Sequence, residues 1–360
     1  MRRLPIFFVI DVSESMVGEP IMEVAAGLRE MIAALRQNPY ALETAFISVI
    51  VFAGKAKTIV PLTDVVSFYP PQFPIGGGTS LSTAMQHLIR ELESKLIRND
   101  GTQKGDWKPI VFLFTDGSPT DDSEAAIREW NQKYREKINL VAISVGNNTD
   151  LNLLRRLTDN VLLFNNTTAD SYAKFFKWIT ASISAQSQKI ETHKSDAFQL
   201  ETLDDTVARK VDLSKTIPPQ LDDNFVVLPA KCQRTEALYL IKFRRNLDFD
   251  EWPEFIEEGY SAPTARAFSL VGAFRLELPN EYQELSANMQ GKSSVNTKEL
   301  EGNPSCPCCA NRFGFSVCAC GGVHCVHGEG TNRCPWCKAE GFYGLSSSED
   351  PGSNVTRGLG

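Results

Sequence analysis

The stretch Phe7-Phe8-Val9-Ile10-Asp11-Val12-Ser13-Glu14-Ser15 constrains this chain more than any other. A short apolar run that ends abruptly in acidic and hydroxyl residues reads as a strand buried on both faces. Asp11, Ser13 and Ser15 leave its end at a spacing of two, and in extended backbone alternate side chains point the same way. Three oxygen-bearing side chains therefore converge on one point. One carboxylate with two hydroxyls is a hard ligand set, suited to magnesium or manganese and poorly suited to zinc. A helix N-cap is the plain alternative, because Ser and Asp are favoured caps.

The pattern after this strand alternates. Residues 19–36 carry Ile21, Val24, Leu28, Met31 and Leu35 at helical spacing, with Pro20 in the first turn. Ala45–Phe52 and 58–61 read as a hairpin around Gly54-Lys55. Gly76-Gly77-Gly78-Thr79-Ser80 opens a helix with Leu81, Met85, Leu88 and Leu92 on one face; His87 lies off that stripe and reads as a solvated surface residue. A strand over 108–114 runs into Thr115-Asp116-Gly117, and a helix over 121–136 turns Ile127, Trp130 and Tyr134 inward. Strands at 140–145 and 161–164, with helices at 150–157 and 168–186, complete the series. Such alternation predicts a Rossmann-like, doubly wound α/β fold with a mainly parallel sheet. Ligands of such sheets sit at the carboxyl ends of the strands. That rule brings Asp11, Ser13 and Ser15 together with Thr79 and Asp116, five oxygen ligands from three loops. Glycines before Thr79 would let backbone pass close to a ligand.

These pieces resemble the metal-ion-dependent adhesion site of von Willebrand factor A domains, and the likeness covers residues 5–187. It implies that the hydroxyls bind Mg2+ (or Mn2+) directly, the carboxylates directly or through water. A sixth position then takes an Asp or Glu from a protein partner. The opening Met-Arg-Arg-Leu-Pro-Ile, the Ser-Met-Val-Gly-Glu-Pro-Ile after the first cluster and Phe-Thr-Asp-Gly-Ser-Pro-Thr-Asp-Asp are similar to TerY-like proteins. So is Phe175-Phe176-Lys177-Trp178, which also makes an aromatic core face. Those are bacterial proteins of tellurium-resistance and stress-response systems. The resemblance implies a protein kinase and a PP2C-type phosphatase as partners.

Beyond residue 187 the composition changes. Residues 188–223 read as a linker, 224–300 as a β-rich segment with an acidic, aromatic loop at 248–255, 301–345 as a cysteine-rich module, and 346–360 as a mobile tail. Of nine cysteines only Cys232 precedes the module, and it reads as a buried, inert thiol. Cys306/Cys309 and Cys334/Cys337 are C-x-x-C pairs that could complete one tetrahedral zinc site. Cys318, Cys320, His324 and Cys325 bring the set to eight ligands, enough for two zinc ions, with Cys308 spare. His327 competes with His324 for the one nitrogen position. A module of about 45 residues needs such an ion, worth on the order of 10 kcal/mol, because it buries too little apolar area alone. TerY-like proteins are similar here too, with a cysteine-rich C-terminal metal-binding domain.

Composition excludes several functions. The net charge of −7 disfavours a nucleic-acid binder, including a zinc-ribbon one. No apolar run approaches a membrane span, the apolar start is too short for a secretory leader, and clustered thiols suit a reducing cytoplasm. A Mg2+-dependent phosphohydrolase is the enzyme alternative. The chain has no P-loop, G-x-S-x-G elbow or kinase motifs, only four histidines, and Ser13 where an Asp-x-Asp phosphatase needs a second carboxylate. The expectation is a non-catalytic adaptor.

Overall fold

A computed structural model describes residues 2–100, 102, 104–116, 119–145, 150–164, 169–191, 208–210, 225–246, 268–287, 294–344 and 352–358. The chain divides into two compact units. The first comprises Met1–Asp222 with Gln283–Ala287, the second Asp223–Tyr282 with Asn288–Gly360.

The first unit is an α/β sandwich. Its sheet contains β1 (Leu4–Asp11), β2 (Ala45–Phe52), β3 (Ala56–Asp64), β4 (Ile110–Thr115), β5 (Asn139–Val145), β6 (Val161–Phe164) and β7 (Arg209–Lys210), in the order β3-β2-β1-β4-β5-β6-β7. β1, β2, β4, β5 and β6 run parallel, and β3 and β7 close the edges antiparallel. Every residue of β1, β4 and β5 is buried, so both faces must be covered by helices. On one face Phe7, Val9 and Leu113 pack against α3 (Leu81–Lys95), α4 (Glu124–Lys133) and α5 (Leu151–Leu157). On the other, Phe8 stacks on Phe112 at 5.4 Å and Phe114 on Phe176 of α6 (Ala169–Glu191) at 5.9 Å. All five positions of the helical stripe expected over residues 19–36 are buried in α1 (Glu19–Leu35).

Gly27 permits the close crossing of α1 and α6. A Cβ there would meet the Phe176 ring at 2.0 Å. A short helix the sequence reading missed, α2 (Pro39–Thr44), starts at Asn38, whose side chain accepts from the Tyr40 and Ala41 amides at 3.0 and 3.1 Å. His87 is half-buried and bonds Thr58 Oγ1 at 2.8 Å, so it is less solvated than its position off the stripe implied.

In the second unit β8 (Phe225–Lys231), β9 (Leu238–Arg245) and β10 (Phe268–Arg275) form an antiparallel meander. β12 (Leu300–Glu301) adds to β10. β14 (Val323–Val326) pairs parallel with β8, and β13 (Phe313–Val317) pairs with β14. The reading that separated 224–300 from 301–345 is therefore corrected: both stretches contribute strands to one sheet. Neither alone offers enough apolar surface; together Val226, Leu228, Tyr239, Phe243 and Val323 make one core. Within the expected tail, β17 (Asn354–Thr356) pairs with β11 (Ser294–Asn296), and Val355 is buried. The hairpin β15 (Gly330–Arg333) and β16 (Glu340–Tyr343) completes the unit. Most of the expected linker and all of the 248–255 loop lie outside the described residues. No helix among the described residues is long and apolar enough to cross a membrane.

Candidate metal centres

Between β1 and β4 the chain's direction of travel reverses: from β1 it goes to β2 on one side, from β4 to β5 on the other. Such a switch point leaves a crevice at the carboxyl ends of the two strands. Asp11 ends β1, and Asp116 follows the end of β4. Ser13 and Ser15 do not converge by extended alternation as expected. A 3₁₀ turn, Glu14–Met16, swings Ser15 back over the strand end, and Ser13 makes no side-chain capping bond, so the plain N-cap alternative is not realised.

The hydroxyls instead form a relay. Ser13 Oγ lies 2.9 Å from Ser15 Oγ, and Ser15 donates to Asp116 Oδ1 at 2.8 Å. Asp11 Oδ1 accepts the Ser13 amide at 2.9 Å and its Oδ2 the Thr115 hydroxyl at 2.7 Å. Asp11, Ser13, Ser15, Thr79 and Asp116 are all buried. Thr79's loop joins them through a parallel bridge between Gly76 and Ser13, with the Gly76 amide donating to Val12 O at 2.8 Å.

Two further residues tie the three loops, and the sequence reading missed both. Thr120 Oγ1 accepts the Thr79 amide at 3.1 Å, and the Thr120 amide donates to Thr79 O at 2.7 Å. Asp121 caps α3 from outside: its carboxylate accepts the Leu81 and Ser82 amides at 3.1 and 3.0 Å and the Ser80 hydroxyl at 2.6 Å. An anion at a helix N-terminus satisfies orphan amides and the helix dipole. The Asp121-Asp122-Ser123 run before a helix was its only signal. The assembled donors are hydroxyl and carboxylate oxygens, a set that fits a hard divalent cation.

The second unit gathers its cysteines into two groups of four. Cys232, Cys306, Cys309 and Cys325 form one, Cys318, Cys320, Cys334 and Cys337 the other; within each, all sulfurs lie within 4.8 Å of one another. The pairing of 306/309 with 334/337 that their spacing allowed is not the one formed, because these pairs fall in different groups. Cys232 takes the place expected for His324. The His324 ring is buried between two bonds, Nδ1 to Cys325 O and Nε2 to the Tyr343 hydroxyl, both 2.9 Å. His327 is exposed, and Cys308 belongs to neither group.

Backbone geometry explains Cys232. At Cys306 and Cys334 the cysteine amide donates to the carbonyl five residues on, its carbonyl accepts from the fourth, and that fourth residue has positive φ: Ala310 at 59° and Lys338 at 66°. The Cys232 turn repeats this pattern with Glu236 at 57°. It is a cysteine knuckle with Thr235 where the others carry their second cysteine, and Cys325 supplies the missing sulfur from β14. No C-x-x-C spacing announces it, so the sequence reading passed it over.

Sulfur spacing tests the fit of an ion. A tetrahedral centre with metal–sulfur bonds of about 2.3 Å has sulfur–sulfur edges of about 3.8 Å. The observed contacts are Cys309–Cys325 3.8, Cys232–Cys325 3.9, Cys318–Cys337 3.7 and Cys320–Cys334 3.9 Å. Burial raises the Cys325 and Cys334 thiols to about 12. At Cys232 burial is outweighed by bonds from the Thr235 hydroxyl and backbone amides, which lower it to about 7. Four sulfurs this close can ionise together only around a cation, so the two groups fit a metal ion.

Comparison with known proteins agrees with this division. Residues 6–178 match the von Willebrand factor type A domain model and residues 222–360 the TerY-C metal binding domain model. Among curated proteins none matches. Solved structures with some similarity include mussel byssus proximal thread matrix protein 1 with a zinc occupied MIDAS motif (18% identity, 52% of this chain and 46% of that one, TM-score 0.37). Others are the von Willebrand factor type A protein of Catenulispora acidiphila (16%, 51% and 43%, 0.39) and the pilus adhesin SpaC of Lactobacillus rhamnosus GG (14%, 51% and 30%, 0.40). The chain spans less than half the length of each. The chain therefore joins a von Willebrand factor type A domain to a TerY-C metal binding domain, the two domains that its sequence resembled.

Proposed function

We propose that the chain is a non-catalytic adaptor whose first unit captures an acidic side chain of a partner protein through a divalent cation, Mg2+ or Mn2+. The observation that carries this is the relay Ser13–Ser15–Asp116 at the switch point, with Asp11 on one side and the Thr79 loop on the other. In this reading the hydroxyl lone pairs of Ser13, Ser15 and Thr79 face the cation, and Asp11 and Asp116 balance its charge. Magnesium takes six oxygens, so five protein donors leave a place for one more. A partner's Asp or Glu meets both the charge and the hardness of that place.

Each cysteine group holds a structural zinc. Four thiolates close the coordination sphere and leave no position for substrate or water. The partners we propose are cytoplasmic proteins of a stress-response phosphorylation system, a protein kinase and a PP2C-type phosphatase among them. The test is capture from native cytoplasm by immobilised wild-type and Asp11→Ala chains in the presence of Mg2+. Wild type should retain a specific protein that the variant loses; equal retention would refute the adhesion mechanism. Phosphoester turnover by wild type that vanishes in Asp116→Ala would instead favour a phosphohydrolase.

A further inference from the structure

Glycines ahead of Thr79 suggested room for a ligand. In the structure a distant piece of chain fills that room. Gln283–Ala287 belongs to the first unit, and it clasps the loop through its backbone and one hydroxyl. The Gly77 amide donates to Ser286 Oγ at 2.8 Å. The Gly77 carbonyl accepts the Ala287 amide at 2.9 Å and the Gly54 amide at 3.0 Å, and the Lys55 amide donates to Leu285 O at 2.8 Å. A Cβ on Gly54 would lie 2.0 Å from the Ala287 nitrogen, and one on Gly76 2.7 Å from the Leu285 Cβ. These glycines are small because the segment lies on them. Leu285 is buried.

We propose that Gln283–Ala287, and Ser286 in particular, is a positioning element of the adhesion site that sets its affinity for the divalent cation; the proposal rests on the metal reading of that site. Both hydrogen-bonding groups of Gly77 are held by the segment, and Thr79 follows two residues later. Between them Gly78 has φ of +87° and no side chain to restrain it. A divalent-cation site loses affinity when one of its donors is displaced, most sharply for magnesium, which demands near-ideal octahedral geometry. A loop released at Gly77 therefore presents the Thr79 hydroxyl less well. On this view residues 1–187 do not contain the whole site, and any event that withdraws the segment weakens cation and partner together.

The test uses the full chain with Mn2+ alone as probe. Ser286→Ala should weaken Mn2+ binding about three- to tenfold, the range expected for one lost hydrogen bond. Leu285→Asp, which expels the segment, should weaken it further. Both should raise amide exchange at residues 76–79, and Ser286→Thr, which keeps the hydroxyl, should restore both quantities. Mn2+ affinity within about twofold of wild type in Leu285→Asp, while exchange shows residues 283–287 released, would overturn the proposal. A wild-type chain that takes up no Mn2+ would refute the metal reading itself; exchange at 76–79 that is the same in all variants would then overturn the positioning role as well.

Discussion

Cys232→Ser is the most discriminating substitution in the second unit. If Cys232 is a ligand, the change leaves Cys306, Cys309 and Cys325 with a hydroxyl that is a poor zinc donor. Structural zinc supplies on the order of 10 kcal/mol or more of folding free energy. Net stability of a domain is about 5–15 kcal/mol. Loss of one ion thus removes an amount comparable to the unit's whole stability. Cys232, Cys306 and Cys325 are also members of its apolar core, beside Leu228, Tyr239 and Val323. Zinc per chain should fall from two to one, and the second unit should lose its cooperative unfolding transition at 25 °C while the first keeps its own. His324→Ala is the control. It removes a buried ring held by Cys325 O and Tyr343, costs about 1–3 kcal/mol for its orphaned partners, and should leave two zinc ions. Elemental analysis of protein purified without chelator, with calorimetry of both variants, decides the matter. Two zincs in Cys232→Ser, or one in His324→Ala, would refute the assignment.

Three other outcomes follow from particular contacts. Gly27→Ala drives a Cβ into the stacked Phe176 ring; overpacking of about 1–3 kcal/mol should exceed the roughly 1 kcal/mol gained in helix propensity, and thermal unfolding should show a net loss. Tyr343→Phe removes a hydroxyl that reaches both His324 and the Cys318 thiol, so a competing dye should extract one zinc faster and leave the other unchanged. Burial lowers the His87 pKa, so its neutral form contributes stability above the unfolded value of about 6.5, and that contribution is lost as pH falls through the lower folded value. Denaturant midpoints measured from pH 7 down to pH 5 should therefore fall less in His87→Gln than in wild type.

The fold of the first unit was legible because its signals are local. The buried strands are unbroken apolar runs, and α1 and α3 carry clear stripes. The switch-point rule then placed Asp11 beside Asp116 without any contact being known. Thr120, Asp121 and Ser286 were not legible, since each acts on backbone amides of a distant loop and no spacing encodes such a partner. The cysteines divide in the same way. Cys306/Cys309 and Cys334/Cys337 announce themselves by spacing. Their grouping depends on the parallel pairing of β14 with β8, which brings Cys325 to the Cys232 turn. A histidine beside a cysteine looked a better ligand than a cysteine far away. Physically His324 is occupied at both nitrogens, one of them by the backbone of a ligand residue.

The two kinds of centre stand in different relation to the folds that carry them, and this governs how metal dependence can be tested. The adhesion residues sit at the rim of a sheet whose core is complete without them: Phe7, Val9, Leu113 and the α3 stripe pack together whatever lies beyond Asp11. Ser13, Ser15 and Asp116 bond one another and Asp11 is held by the Ser13 amide and the Thr115 hydroxyl, so loss of a cation there should cost binding and not the sheet. Each cysteine group contains a buried thiol that burial pushes toward neutrality, Cys325 in one and Cys334 in the other, and four such sulfurs can ionise together only around an ion. On the proposed reading a strong chelator should therefore strip the adhesion site and unfold the second unit in one step. Partner loss in chelator alone does not identify the adhesion site. Asp11→Ala should, because on the proposed reading it disables the oxygen site and leaves both cysteine groups untouched, and add-back of Mg2+ to briefly chelated, zinc-replete protein should restore capture in wild type only.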